Sequence, residues 1–288
     1  RYMRALKSLL GTPLIHESSV FLGKRLSYID IVARFLSELK SRAETASGQQ
    51  FTRALSGRPV RFHHDPKRDA QALADLTECY KRAGFQEVRF MYEPEAAARA
   101  QAHVLSAGDL GLVIDIGGGT SDFTLFQAQG EGAIDTLHSA GLRLGGTDFD
   151  RLLSFEHVMP MMGRGSQIRH AFGKETHLAP NGIFADLATW QKIPFLYAPD
   201  TRRAAKDLLQ YATEPEKLAR LNRVLEDERG HDLAFAVEAA KIDVNTKNLA
   251  TVDIVLDAME SGLRSQLPAL ALAYTLRDSA QEIAQMAA

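Results

Sequence analysis

An α/β fold is predicted by three observations. Strand-like and helix-like apolar patterns alternate through the first half of the chain. A nearly unbroken apolar run at 111–116 leads into three consecutive glycines and then into further extended segments. From about residue 186 the pattern is mostly helical. With 288 residues and 45% hydrophobic content, there is apolar material for one large domain or two smaller ones.

Each element has a local justification. Ile29, Val32, Phe35, Leu36 and Leu39 share one face of a helix over 26–45, which Gly48 closes. Residues 51–62 read as extended, interrupted at Gly57-Arg58-Pro59. Asp65-Pro66 opens a helix to Ala83, and Gly84 stops it. A strand over 87–92 precedes Glu93-Pro94, which starts a helix over 95–105 with proline in its first turn. Ser106-Ala107-Gly108 reads as a hinge. Three strands follow, at 111–116, 122–127 and 133–139, and the first is expected at the centre of a sheet. Gly145-Gly146-Thr147-Asp148 opens a helix to about Val158, with Thr147 or Asp148 as its cap. Helices are expected at 184–197, 201–212, 214–229 and 232–244, a strand at 251–256, and a terminal helix at 265–286 with Pro268 in its first turn.

Composition narrows the function. A net charge of −2 gives no basic surface for nucleic acid or for an anionic membrane. The longest apolar run, 267–274, is far too short to span a bilayer, and no signal peptide is visible. Cys79 is the only cysteine, which rules out an internal disulfide and a zinc–thiolate site and fits a reducing, cytoplasmic setting. His63-His64-Asp65 is the one dense histidine cluster, but adjacent ligands without a third partner rarely hold a metal. A first residue Arg1 rather than Met is expected of a fragment.

The segment Val113-Ile-Asp-Ile-Gly-Gly-Gly-Thr-Ser-Asp122 carries the chemistry. A strand turning through Gly117, Gly118, Gly119 and Thr120 brings backbone N–H groups together without Cβ atoms, which suits phosphate oxygens. Asp115 can hold a hydrated Mg²⁺ beside them. Asp122 either orients this loop or ties down its turn. Gly145 and Gly146 precede a helix N-terminus that suits an anion. Glu238 and Lys241 share one face of a helix at i, i+3, the spacing of a solvated ion pair.

Y-E-P-E-A-A-A (92–98), D-I-G-G-G-T-S-D (115–122) and L-G-G-T-D-F-D (144–150), followed by V-E-A-A-K (237–241), closely resemble the nucleotide-binding domain of DnaK-type heat-shock chaperones, in the actin/hexokinase superfamily. T-E-P-E-K-L-A-R-L (213–221) and M-P-M-M-G (159–163) look most like the YegD-like branch, a divergent bacterial set. The resemblance implies an actin-like ATPase fold, with ribonuclease-H-like sheets in two lobes. It is expected to be partial: 1–108 as part of lobe I, and 109–288 as lobe II with a helical subdomain over about 164–245. It further implies ATP or ADP with Mg²⁺ in a cleft between the lobes. The phosphates would lie on Gly117, Gly118 and Gly119, with Thr120 bonding the γ-phosphate. Asp115 would bind Mg²⁺ through water and Glu93 would orient the attacking water. Asp122, Gly145 and Gly146 would line the nucleotide site, and Glu238 and Lys241 would grip the ribose and adenine edge.

Three features depart from the family's pattern. Its first phosphate loop and the lysine after it are expected upstream of Arg1. Its second adenosine loop is missing. Ile242 and Asn245 stand where a basic residue and a serine are frequent. The implied activity is ATP hydrolysis in a full-length chaperone, with little from this chain alone. Implied partners are unfolded client proteins and a co-chaperone or exchange factor. The alternatives are a non-hydrolysing interaction module of the same fold and an actin-like filament or cell-shape protein.

Overall fold

The computed structural model describes residues 6–21, 23–170 and 175–288. Residues 1–5 of the expected first lobe and 171–174 of the expected helical subdomain lie outside this set. The fold is α/β, with the element types of an actin-like ATPase. Two compact units form, residues 1–145 with 282–288, and residues 146–281. The turn at 106–108 lies inside the first unit.

In the first unit, short 3-10 turns at Leu6–Leu9 and Pro13–His16 precede an antiparallel ribbon of β1 (Ser18–Phe21) and β2 (Lys24–Ser27). Helix α1 (Tyr28–Ser47) begins at a reciprocal cap: Ser27 Oγ accepts from Asp30 N–H, and the Asp30 carboxylate accepts from Ser27 N–H. Gly48, at φ 67°, ends it in the left-handed conformation. Strand β3 (Arg53–Arg58) is shorter than the expected 51–62, because Pro59 has no N–H to extend a ladder. Helix α2 (Pro66–Arg82) is capped by Asp65, whose carboxylate accepts from the N–H groups of Lys67 and Arg68. It crosses over to β4 (Glu87–Tyr92), which pairs parallel with β3 from Arg53↔Glu87 to Arg58↔Tyr92. Helix α3 (Glu93–Gln101) follows at once. Cys79 is fully buried on α2, its thiol pushed up to about 12 by burial, so it packs rather than reacts.

Strands β5 (Leu110–Ile116), β6 (Ser121–Gly130) and β7 (Ala133–Leu142) form an antiparallel meander in that order. The expectation that the first of these is central is corrected: β6 is central and β5 is at an edge. Only one face of β5 is covered among the described residues. Val113 packs against the cluster formed by Ala98, Ala102, Phe126 and Ile134. Gly111 admits the Phe126 ring, which a Cβ there would meet at 2.3 Å. Leu110, Leu112, Ile114 and Ile116, on the other face, are exposed.

In the second unit, α4 (Gly146–Leu153) continues as a π turn (Ser154–Val158) and a 3-10 turn (Met159–Met162). Thr147 and Asp148 therefore lie inside the first turn rather than at its cap. The hairpin β8 (Gln167–Arg169) and β9 (Thr176–Leu178) precedes α5 (Asn181–Ala188). The expected helix over 184–197 breaks at Thr189, and residues Trp190–Tyr197 wind as a 3-10 helix around Pro194, which cannot donate to an α-helical ladder. Helices α6 (Pro199–Gln210), α7 (Pro215–Glu226) and α8 (Gly230–Thr246) follow. Phe184, Ile193, Leu218, Leu221 and Leu225 are fully buried in their common core. Strands β10 (Thr251–Val255) and β11 (Arg264–Pro268) pair antiparallel, so the terminal helix α9 (Ala269–Ala287) starts four residues later than expected. Pro268 ends the strand instead of opening the helix. None of the described helices is long and apolar enough to cross a membrane.

Candidate functional site

A cavity of about 220 Å³ lies in the first unit, lined by Lys7, Ser8, Phe62, Glu93, Gly117, Gly118, Gly119, Thr120 and Arg143. That is several times the ~30 Å³ a water occupies in the liquid. The glycine wall is the β5–β6 hairpin. Gly117 N–H donates to Thr120 O at 2.8 Å and closes the turn. Gly117 lines the cavity with its bare Cα, while its N–H closes the hairpin.

The second glycine motif presses on the first. A Cβ on Gly145 would stand 2.6 Å from Gly117 O and 2.7 Å from Gly118 C and Gly119 N. Only a glycine lets these two backbones meet, so Gly145 is buried behind the hairpin. Ser121 Oγ, donating to Leu144 O at 2.7 Å, ties the same segments together.

Asp122 does not line the cavity. The residue is 1% exposed, and its carboxylate accepts from Val60 N–H at 2.7 Å and from the Thr120 hydroxyl. It therefore orients Thr120 and ties the 60s loop to the hairpin. Burial raises its pKa against the pull of those two donors, and the nearby Glu93 charge raises it further. Asp115, opposite Asp122 in the β5–β6 register, is half-buried two residues before Gly117 and is not part of the cavity lining.

Glu93 enters the cavity at the switch from β4 to α3. Its carboxylate accepts from Lys7 Nζ at 2.5 Å through Oε1 and 2.8 Å through Oε2. A Cβ on Gly57 would be 3.1 Å from Glu93 Cγ, so β3 is bare where the side chain passes.

A lysine, Lys7, lines the cavity as well. Its segment is clamped to α2. Gly11 N–H donates to the buried Asp75 at 2.9 Å, and His63 Nε2 lies 2.6 Å from Leu10 O. A carbonyl only accepts, so His63 carries its proton on Nε2. Burial holds its pKa low, the Leu10 carbonyl opposes that, and the Arg143 charge lowers it further. The His63 imidazole is thus structural, and among the described residues no group of three or more His, Cys, Asp or Glu could hold a metal. Arg143, just after β7, donates from Nη2 to Ser8 O at 2.9 Å. Lys7, Ser8, Phe62 and Arg143 were not legible as site residues: the first three match no motif, though Arg143 directly precedes Leu144-Gly145-Gly146.

Gly146, Glu238 and Lys241 belong to the second unit. Lys241 Nζ is 2.6 Å from Asp150 Oδ1 and donates to Gly146 O at 3.4 Å, so α8 is tied to α4. The structure does not pair Lys241 with Glu238 as a solvated couple; Asp150 takes that place.

A carboxylate that can orient water, a lysine, an arginine and a bare glycine turn in one cavity suit a phosphate ester. The chain is 36% identical over 138 residues to the chaperone protein HscA homolog of Burkholderia mallei (strain SAVP1), 48% of this chain and 21% of that protein. It has the same identity to the homolog of Burkholderia pseudomallei (strain 668), and 34% to that of Burkholderia multivorans. The chain thus spans about 21% of the length of the curated relatives it matches. The Hsp70 protein family matches residues 11–175, more than half of the chain, and the chain belongs to that family.

Proposed function

We propose that the first unit's cavity holds the phosphates of ATP or ADP and that the chain is the ATPase-type nucleotide-binding domain of an Hsp70-like chaperone. The convergence of Lys7, Glu93, Arg143 and the Gly117–Thr120 turn in one cavity carries this reading. Gly118 and Gly119 would let the phosphate chain approach the backbone, and Thr120, aimed by Asp122, would meet its terminal group. Glu93 would orient the attacking water, with Lys7 offsetting developing charge. Asp115 would hold Mg²⁺ through water; a lone carboxylate fits an ion that keeps waters and shares phosphate oxygens. When bound, Mg²⁺ would neutralise part of the phosphate charge.

Lys7 removes one ground for a non-hydrolysing module, and the family match favours a chaperone over a filament protein. Client proteins, a co-chaperone or exchange factor and a cytoplasmic setting are part of the proposal, as is the YegD-like branch, on residues 159–163 and 213–221.

Calorimetric titration with Mg-ADP and Mg-ATP tests the reading. The parent chain is expected to bind both, and Gly118→Val neither. Binding that survives Gly118→Val would move the phosphates off the hairpin.

Asp122 offers a separate check by pH. Its carboxyl ionises at higher pH folded than unfolded, so its contribution is complete below about pH 4 and fades as pH rises through the folded value. Asp122→Asn is expected to gain stability on the parent as denaturant unfolding is repeated from acid toward neutral pH. A stability difference independent of pH would contradict the burial argument.

A further inference from the structure

We propose that Arg58 is a positioning residue of this site: through the peptide group between Pro59 and Val60 it holds Asp122 on the Thr120 hydroxyl, and so sets a preference for a nucleoside triphosphate over a diphosphate. The inference rests on the nucleotide reading above, and Arg58 itself is not part of the cavity lining. It ends β3, opposite Tyr92, and its side chain is 13% exposed. Its Nε donates to Pro59 O at 3.0 Å and its Nη2 to Val60 O at 3.3 Å. The guanidinium carbon lies 5.1 Å from the centre of the Phe62 ring and 5.5 Å from that of Tyr92, within cation–π range of both. The chain from 58 to 62 thus wraps around its own arginine.

Arg58 and Asp122 grip opposite ends of one peptide group. Pro59 O and Val60 N–H belong to the same planar unit, and in a trans peptide they point in opposite directions. Arg58 holds the oxygen at 3.0 Å, and the Asp122 carboxylate accepts from the N–H at 2.7 Å. A cationic donor on the oxygen polarises the unit and strengthens the donor at its other end. The same carboxylate accepts from the Thr120 hydroxyl, and Thr120 lines the cavity. There is little slack along this line: a Cβ on Gly141 would stand 2.6 Å from Asp122 Oδ1 and 3.1 Å from both Arg61 N and Val60 Cβ. The rest of the wall has anchors of its own. The glycine turn closes through Gly117 N–H on Thr120 O, and Asp69 Oδ1 accepts from the N–H groups of Phe62 and His63 at 2.6 and 3.2 Å. Loss of Arg58 therefore misaims the Thr120 hydroxyl and leaves the glycine backbone in place. On the nucleotide reading that hydroxyl meets the terminal phosphate of a triphosphate, and a diphosphate has no group there.

The test compares the Kd of Mg-ADP with that of a Mg-ATP analogue whose β–γ bridge cannot hydrolyse, on the full chain and its variants. Gly118→Val reports on the site itself. Arg58→Gln removes the charge and the fork; Arg58→Lys keeps the charge and loses the fork. Arg58→Gln is expected to weaken the analogue about fivefold to tenfold, the scale of one hydrogen bond, while moving Mg-ADP less than about twofold, with Arg58→Lys in between. In a Thr120→Val background the same replacement is expected to weaken the analogue by less than about twofold, because two changes that act through one contact do not add. An arginine that only supported the fold would weaken both nucleotides alike and would add to Thr120→Val. Equal weakening of both nucleotides, none, or a full loss that persists beside Thr120→Val, with the parent binding and Gly118→Val not binding, would overturn the role of Arg58 and leave the nucleotide site standing. A parent chain that binds neither nucleotide would overturn both readings. Arg58→Lys carries the same comparison if Arg58→Gln does not fold.

Discussion

Replacing Lys7 with alanine is expected to slow single-turnover hydrolysis of Mg-ATP by about 10²–10³, the usual effect of removing one preorganised group that meets developing charge. Lys7 is the group in position to do this: it lines the cavity and its ammonium is fixed on the Glu93 carboxylate. Binding of Mg-ADP should change far less, because no charge develops on a product. The fold should hardly notice. Both side chains are partly exposed, 45% and 32%, and ion pairs of that kind contribute about 0–1 kcal/mol. Thermal unfolding in parallel separates the two roles. A rate equal to that of the parent would remove Lys7 from the chemistry, and a large drop in Tm would recast it as a structural cation.

The second large effect belongs to Gly145. Gly145→Val is expected to lower nucleotide affinity by at least about a hundredfold and to destabilise the first unit by about 1–3 kcal/mol, the range for overpacking. A new Cβ there would sit 2.6 Å from Gly117 O, and the atoms it meets are backbone, which cannot rotate away as a side chain can. The hairpin must move, and the cavity wall moves with it. Gly182→Ala is the control, since a Cβ at that position meets nothing within 4 Å. Titration calorimetry and denaturant unfolding on both variants decide it. Unchanged affinity in Gly145→Val would mean that the hairpin can be displaced without cost to the site.

What the chain discloses in its residue order depends on how local the cause is. The β4 strand, the Glu93-Pro94 switch and the glycine turn are each specified by a few adjacent residues, and each appears where it is expected. The position of β5 in its sheet was misjudged because an apolar run reads the same whether both faces are covered or one. Only the partner strands distinguish the two, and they are set by tertiary pairing. Residues 265–268 follow the same logic, as pairing with β10 overrides a helical pattern. The cavity was half legible. Its glycines and Glu93 stand in motifs, whereas Lys7 reaches it across 86 residues of separation through a fold that no local pattern encodes.

The clamp of Asp75 and His63 on residues 9–11 bears on how an anion would be received. Neither side chain belongs to the cavity lining, yet Gly11 N–H and Leu10 O are fixed on them, and Leu9 and Leu10 are buried beside them. Ordering a long, rotamer-rich side chain at the moment of binding takes about 0.5–1.5 kcal/mol from affinity. Here the backbone beneath Lys7 is immobilised during folding, and Glu93 holds the ammonium in advance, so that loss of freedom has already occurred when a ligand arrives. Helix α2 contributes no group to the cavity, but its buried acid makes the lysine a preorganised cation instead of a searching one.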